Sequence, residues 1–332
     1  MAYYQPALNY RHHRPLFILL LLLAPLSFLF ALGTGSVSVR WPELWAILSG
    51  HENSVTYNLV MELRLPRAIN AFTTGGMLAL AGALMQVLLR NPLADPYILG
   101  VSGGASAGAL GTMLLGLGGL WINGAAFCGA LLSIVLVFSL AHGKGSWTPA
   151  RLILTGVVVA AGWGALISFI LAISPDTNLR GMLFWLIGDL SNTDSSYSGI
   201  LMLALGMVLT LPISRHLNVL TRGELRASAL GVSVARLRIQ IYFIASLLTA
   251  SAVTLAGNIG FVGLVVPHLV RLVAGNDQRV LIPASLLLGA SLLVIADTLA
   301  RTVMAPTQLP IGVITALIGV PVFLYLLQRS YR

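Results

Sequence analysis

The chain has 332 residues, of which 57% are hydrophobic and only 9% charged, with a mean hydropathy of +0.91 and a formal net charge of +9. An ordinary soluble domain carries about 25% charged residues, so this composition excludes a soluble globular protein and describes an all-α, polytopic membrane protein. Nucleic-acid binding is excluded too, because no basic amphipathic stripe and no soluble domain is present to carry one.

A spanning helix needs roughly 20 apolar residues. In chain order the hydropathy predicts spans at 16–34, 67–89, 98–118, 124–141, 151–173, 195–213, 239–257, 261–274, 280–299 and 311–328. They form one transmembrane domain, 16–328, between short tails at 1–15 and 329–332. The first run follows Arg11 and Arg14, as in a signal peptide. Its apolar core is longer than the roughly 7 to 15 residues of such a segment, so it is read as a span.

Lys and Arg accumulate in cytoplasmic loops. With ten spans, one set of loops and tails holds fourteen of the nineteen bases, and the other holds Arg40, Arg64, Arg67, Arg180 and Arg301. Both termini are therefore expected in the cytoplasm. The short span at 261–274, which contains Pro267, is required by this alternation.

Small residues crowd two helices, as in GGMLALAGALMQ (Gly75–Gln86) and GASAGALG (Gly104–Gly111). Lipid tails are as apolar as leucine, so helices associate in a bilayer by close backbone approach, which favours Gly, Ala and Ser at contacts. Cys128 is alone, which excludes a disulfide and a thiolate metal site; it is expected to be a small core residue.

The ten acids all fall in loops or near span ends. A proton-coupled carrier keeps ionisable groups at mid-membrane, so an ion-coupled secondary transporter is the lesser alternative. No phosphate-binding G-x-x-x-x-G-K-[ST] run occurs, so any ATP that drives this protein binds another chain. The histidines lack metal-ligand spacing, and His268, beside Pro267, is expected to satisfy a carbonyl freed by the kink. No catalytic constellation and no metal site emerge.

Two loops are too rich to be connectors. Residues 214–238, SRHLNVLTRGELRASALGVSVARLR, read as two short cytoplasmic helices broken at Gly223 and Gly231, suited to a cytoplasmic partner. A non-transporting membrane scaffold that recruits a cytoplasmic enzyme is the alternative of another class. Residues 177–190 read as a short amphipathic helix near the opposite surface.

Five motifs in register, LRLPRAI (63–69), NPLADPYILGVSGGASAG (91–108), GFVGLVVPHLVR (260–271), ADTLAR (296–301) and LPIGVITALIGVPVF (309–323), resemble the FecCD-type permeases of bacterial ABC importers for ferric siderophores, haem and vitamin B12. The resemblance covers nearly the whole chain. It implies a ten-helix inner-membrane subunit that pairs with a second permease subunit, as a homodimer, sits on two ATPase subunits and receives substrate from a periplasmic binding protein.

On the same resemblance, ATP and Mg belong to the partner ATPases and the chain binds no cofactor. Arg64, Arg67 and Arg301 dock the binding protein, and Asn91 and Leu93 narrow a cytoplasmic gate. Arg222, Gly223, Glu224, Arg226, Ala227, Leu230 and Gly231 engage the ATPase. Arg222 and Ser228 depart from the family's usual aliphatic and basic residues, which leaves individual contacts open. A second gate region, 146–150, diverges and is not assigned.

Overall fold

The computed structural model describes residues 10–330, apart from 36, 38, 51–54, 143–147 and 191–195. The tail beyond Ser330, most of the N-terminal tail and residues 146–147 of the unassigned gate region thus lie outside the described residues. Regular structure among the described residues is helical throughout.

Helix α1 (Tyr10–Gly33) leads into a short helix α2 (Trp41–Leu48), then α3 (Val55–Asn58). At Leu59–Arg64 the chain widens by one residue per turn, the Leu65 N–H bonding back to the Val60 carbonyl, before α4 (Leu65–Leu88). Such wide turns are rare and cluster at functional sites. Here it carries Arg64.

Helix α4 is the hub, almost wholly buried and packed on helices from both halves of the chain. Its small residues make that possible. A Cβ at Gly82 would collide with the backbone carbonyl of Gly263, and one at Gly75 with that of Gly289. Backbones approach this closely only where neither partner has a side chain.

The remaining helices are α5 (Val101–Leu114), α6 (Leu120–His142), α7 (Pro149–Ile173), α8 (Asp176–Ile187), α9 (Ser196–Leu220), α10 (Glu224–Ala229), α11 (Val234–Ala256), α12 (Val262–Ala274), α13 (Gln278–Thr302) and α14 (Ile311–Ser330). Each of the ten expected spans coincides with a helix. Among the described residues eight helices are long and apolar enough to cross a bilayer. Helices α5 and α12 have 14 and 13 residues, which at about 1.5 Å per residue falls short of a hydrocarbon core of about 30 Å. The third span was expected over 98–118. Its first residues instead form a tight turn, Pro96–Leu99, capped by Gly100 at φ 68°.

The irregular segments before α5 and α12 brace one another. The Tyr97 hydroxyl sits 3.1 Å from the Ile259 carbonyl and 3.2 Å from the Ile259 N–H. Non-helical backbone in a membrane protein is tolerated where protein groups satisfy it.

Two expectations change. Residues 214–238 contain one separate short helix, not two. Helices α9 and α11 run on to Leu220 and from Val234, because Leu217, Leu220 and Leu237 are buried and extend the packed faces. The breaks themselves fall where expected, with Gly223 at φ 113° and Gly231 at φ 79°. Cys128 is exposed on α6 and is not a core residue, since a lipid-facing position is as hospitable to an apolar side chain as an interior one.

Candidate functional site

At one end of the bundle the first residues of α4 meet the last turns of α13. Arg67 grips the Asp297 carboxylate with two groups, Nε at 3.0 Å from both oxygens and Nη2 at 2.9 Å from Oδ1, while its Nη1 donates to Gln308 Oε1 at 3.1 Å. Arg301, one helical turn beyond Asp297, places Nε 3.1 Å from Oδ2. Arg64 donates through Nη1 to the Leu32 carbonyl at 2.6 Å and through Nη2 to that of Val37. Gly35 makes room for it, since a Cβ there would sit 2.5 Å from Arg64 Nη2.

Two guanidinium groups, those of Arg67 and Arg301, therefore share the Asp297 carboxylate, while Arg64 is held by backbone carbonyls alone. Asp297 is 1% exposed, Arg64 3% and Arg301 8%. All three arginines border an open cavity of about 920 Å3, whose other walls include Glu62, Asn123, Trp185 and Asp189. The motifs LRLPRAI and ADTLAR carry these three arginines in the sequence. Asp297 and Gln308 went unrecognised there as partners, although the four-residue spacing of Asp297 and Arg301 on one helix was legible as a pair.

At the other end, α4 stops at Leu88 and Arg90 takes a left-handed conformation, φ 49°. The Asn91 N–H donates to the Gln86 carbonyl at 3.2 Å, and Asn91 Oδ1 accepts the Leu93 N–H at 2.9 Å. Asn91 is exposed and Leu93 half-buried. Asp95, in the connection between α4 and α5, caps the next turn by accepting the Tyr97 N–H at 2.8 Å. Burial pushes its carboxyl up to about 6, against the opposing pull of that hydrogen bond.

Gln86, which the sequence analysis passed over, ties this region to α12. Its Nε2 donates to the Leu264 carbonyl at 3.1 Å and its Oε1 accepts from Arg271 Nη2 at 2.8 Å. His268 does not behave as expected through Nδ1, which is buried without a hydrogen-bond partner.

The short helix α10 lies at this same end. Glu224 pairs with Arg238 and stands 3.4 Å from Arg90 Nη2, so α10 connects by charge to the residue before Asn91. Ala227 is fully buried against the bundle, whereas Leu225 and Leu230 are 89% and 71% exposed. Arg222, Arg226 and Gly231 are exposed beside them. Two leucines held out among arginines, on a helix whose foot is an alanine, form a small projecting knob.

The C-terminal end of α9 is pinned nearby. Asn218 Nδ2 donates to Asp277 Oδ1 at 2.8 Å, and Asn218 Oδ1 accepts the Gln278 N–H at 2.7 Å. Burial alone would raise the Asp277 carboxyl. The donors of Arg279 and Asn218 outweigh it and hold the group below the usual carboxylate range. Among the described residues no cluster of His, Cys, Asp and Glu is arranged to hold a metal.

Comparison with known proteins gives this arrangement a lineage. The chain is 44% identical over 273 residues to the cobalamin import system permease protein BtuC of Halobacterium salinarum, covering 81% of this chain and 73% of that one. It is 40% identical over 308 residues to the Fe(3+) dicitrate transport system permease protein FecD of Escherichia coli, covering 91% and 94%. A solved metal-chelate type ABC transporter in an inward-facing conformation superposes with a TM-score of 0.85 at 31% identity, covering 95% of this chain and 99% of that one. The FecCD transport family matches residues 20–329, and this chain belongs to that family.

Proposed function

We propose that this chain is the permease subunit of an ABC importer that moves a metal chelate, a ferric siderophore, haem or cobalamin, across the bacterial inner membrane. In this reading α5 and α12 complete ten crossings, and both termini and α10 face the cytoplasm. A second copy forms the dimer, two ATPase subunits bind below and hydrolyse ATP, and a periplasmic binding protein delivers the substrate.

The observation that carries the reading is the polarity of the molecule. One end holds a cluster of three guanidinium groups, of which only Arg67 and Arg301 are paired with Asp297, bordering a wide cavity. The other presents the Leu225 and Leu230 knob, linked through Glu224 and Arg90 to Asn91 and Leu93. Opposite charge favours an acidic delivery protein at the first end, where complementary potentials speed encounter and fix register. Arg67 is the arginine best placed to meet it, since Nη1 reaches the exposed Gln308. Arg64 and Arg301 hold the rim on which it stands.

At the second end a push on α10 travels through the charge pairs of Glu224 to the start of the gate. ATP-driven closure of the partners then shifts the subunit between states to the extent that the partners bind those states unequally.

The test is reconstitution of the chain in liposomes with candidate ATPases and binding proteins, titrated with ferric chelates, haem and cobalamin. Chelate-stimulated ATP hydrolysis with uptake is expected. Uptake that survives without ATP and collapses with the proton gradient overturns the reading.

A further inference from the structure

The short helix α2 has two apolar faces, and only one is used within the subunit. Leu44 and Ile47, each 2% exposed, pack with Leu32, Val39 and Val60 against the end of α1 and the wide turn before α4. On the other side Trp41, Trp45 and Leu48 are 66%, 74% and 44% exposed. Their spacing of four and three residues makes a single stripe along the helix.

That stripe continues an outward-facing apolar surface on α1, a helix long and apolar enough to cross a bilayer. Leu22, Leu26 and Phe30 point outward from α1, at 56%, 58% and 36% exposure. Gly33 follows Phe30 by three residues on the same side. The first atom a Cβ on Gly33 would meet is Cη2 of Trp41, at 3.8 Å. The apolar face of α1 thus comes up against Trp41 at the start of α2. Tryptophan concentrates where a membrane meets water, because its ring is apolar and its N–H seeks a hydrogen-bond partner.

We propose that α2 is an interfacial anchor whose Trp41, Trp45 and Leu48 stripe lies among the headgroups and upper acyl chains of the leaflet at the C-terminal end of α1. The occupant of this face is lipid, by continuity with the outward-facing apolar surface of α1. The anchor has a structural consequence. The carbonyls that hold Arg64 belong to Leu32, in the last turn of α1, and to Val37, on the connection from α1 to α2, so fixing α2 in the leaflet helps fix the seat of that arginine. The proposal requires only that the chain spans a membrane, and stands apart from the transport reading.

The experiment uses the full chain in vesicles made with phosphatidylcholine brominated either near the glycerol end or near the chain terminus. The emission contributed by Trp45 is the difference between the parent and Trp45→Phe. That emission is expected to be quenched by bromine near the glycerol end, less by bromine at the chain terminus, and hardly by iodide in the buffer. Quenching by iodide with none from bromolipid overturns the proposal by placing Trp45 in water. Quenching by neither overturns it by placing a second copy or another protein over the stripe.

A nitroxide on Trp45→Cys, in a Cys128→Ser background, repeats the test without relying on fluorescence. Oxygen is expected to collide with it more often than a water-soluble nickel chelate does, and the reverse preference at the water-facing reference Leu225→Cys calibrates the scale. A chelate preference at position 45 overturns the anchor.

Discussion

Asp297 is the residue on which the arginine end depends. Its carboxylate is 2% exposed and faces two guanidinium groups that are themselves 12% and 9% exposed. Removing one partner of a buried charge network costs about 3–5 kcal/mol, because the remaining charges stay buried and unpaired. Asp297→Asn is therefore expected to lower the thermal unfolding midpoint in detergent sharply, and the pair Asp297→Asn with Arg301→Gln to recover part of the loss. A double-variant loss equal to the sum of the losses of Asp297→Asn and Arg301→Gln measured singly would show that Asp297 and Arg301 are not coupled.

Asp95 gives a second test with a definite sign. Burial pushes its native carboxyl up to about 6, above the ordinary aspartate range, so between that range and about 6 the folded state binds more protons than the unfolded one. Stability from this group is present at acid pH and is lost as pH rises through about 6, by roughly 3 kcal/mol in all. Asp95→Asn keeps an acceptor for the Tyr97 N–H and removes the charge. Its unfolding midpoint is expected to exceed that of the parent at pH 7.5 and to match it near pH 4; a gap independent of pH overturns the assignment.

Among the elements, α10 separates folding from partnership most cleanly. Leu225 and Leu230 touch little within the subunit, while Ala227 anchors the helix and Glu224 ties it to Arg238 and Arg90. Exposed substitutions away from packed features change stability by about 0.5 kcal/mol or less. Exposed apolar anchors at an interface cost about 1–2 kcal/mol or more when truncated. Replacing both leucines with serine is thus expected to leave the unfolding midpoint of the isolated permease unchanged and to weaken ATPase association at least about tenfold, measured by titrating the ATPase onto immobilised permease. An unchanged affinity removes α10 from the contact.

Helices α5 and α12 make a different point at this scale. Hydropathy located α5 and the alternation of charge required α12, yet the irregular approach to each, joined by Tyr97 and Ile259, carries no hydropathy signal. Periodicity sees side chains, whereas these segments are defined by where their backbone groups find partners.

At the scale of the whole molecule the testable property is orientation. In a Cys128→Ser background, Arg226→Cys is expected to react with a membrane-impermeant maleimide only from the cytoplasmic side and Gln308→Cys only from the outside. Both positions are exposed, so access is set by sidedness and not by burial. Reaction of both from one side overturns the ten-crossing topology.

Composition and the alternation of charge determined by themselves that the chain is a helical membrane bundle, and which runs are helices. The reason is physical: a bilayer penalises unpaired backbone and buried charge so severely that few arrangements remain. Five motifs in order were enough to indicate the family, and they drew Arg64, Arg67 and Arg301 into one group. Tertiary structure alone decided that Arg67 and Arg301 are paired with Asp297, that Glu224 ties α10 to Arg90, and that Cys128 faces outward. Lipid and protein interior are equally apolar, so an apolar pattern cannot say which side of a membrane helix is inside. The partner of a charge 230 residues away in sequence, as Asp297 is from Arg67, is settled only when the helices pack.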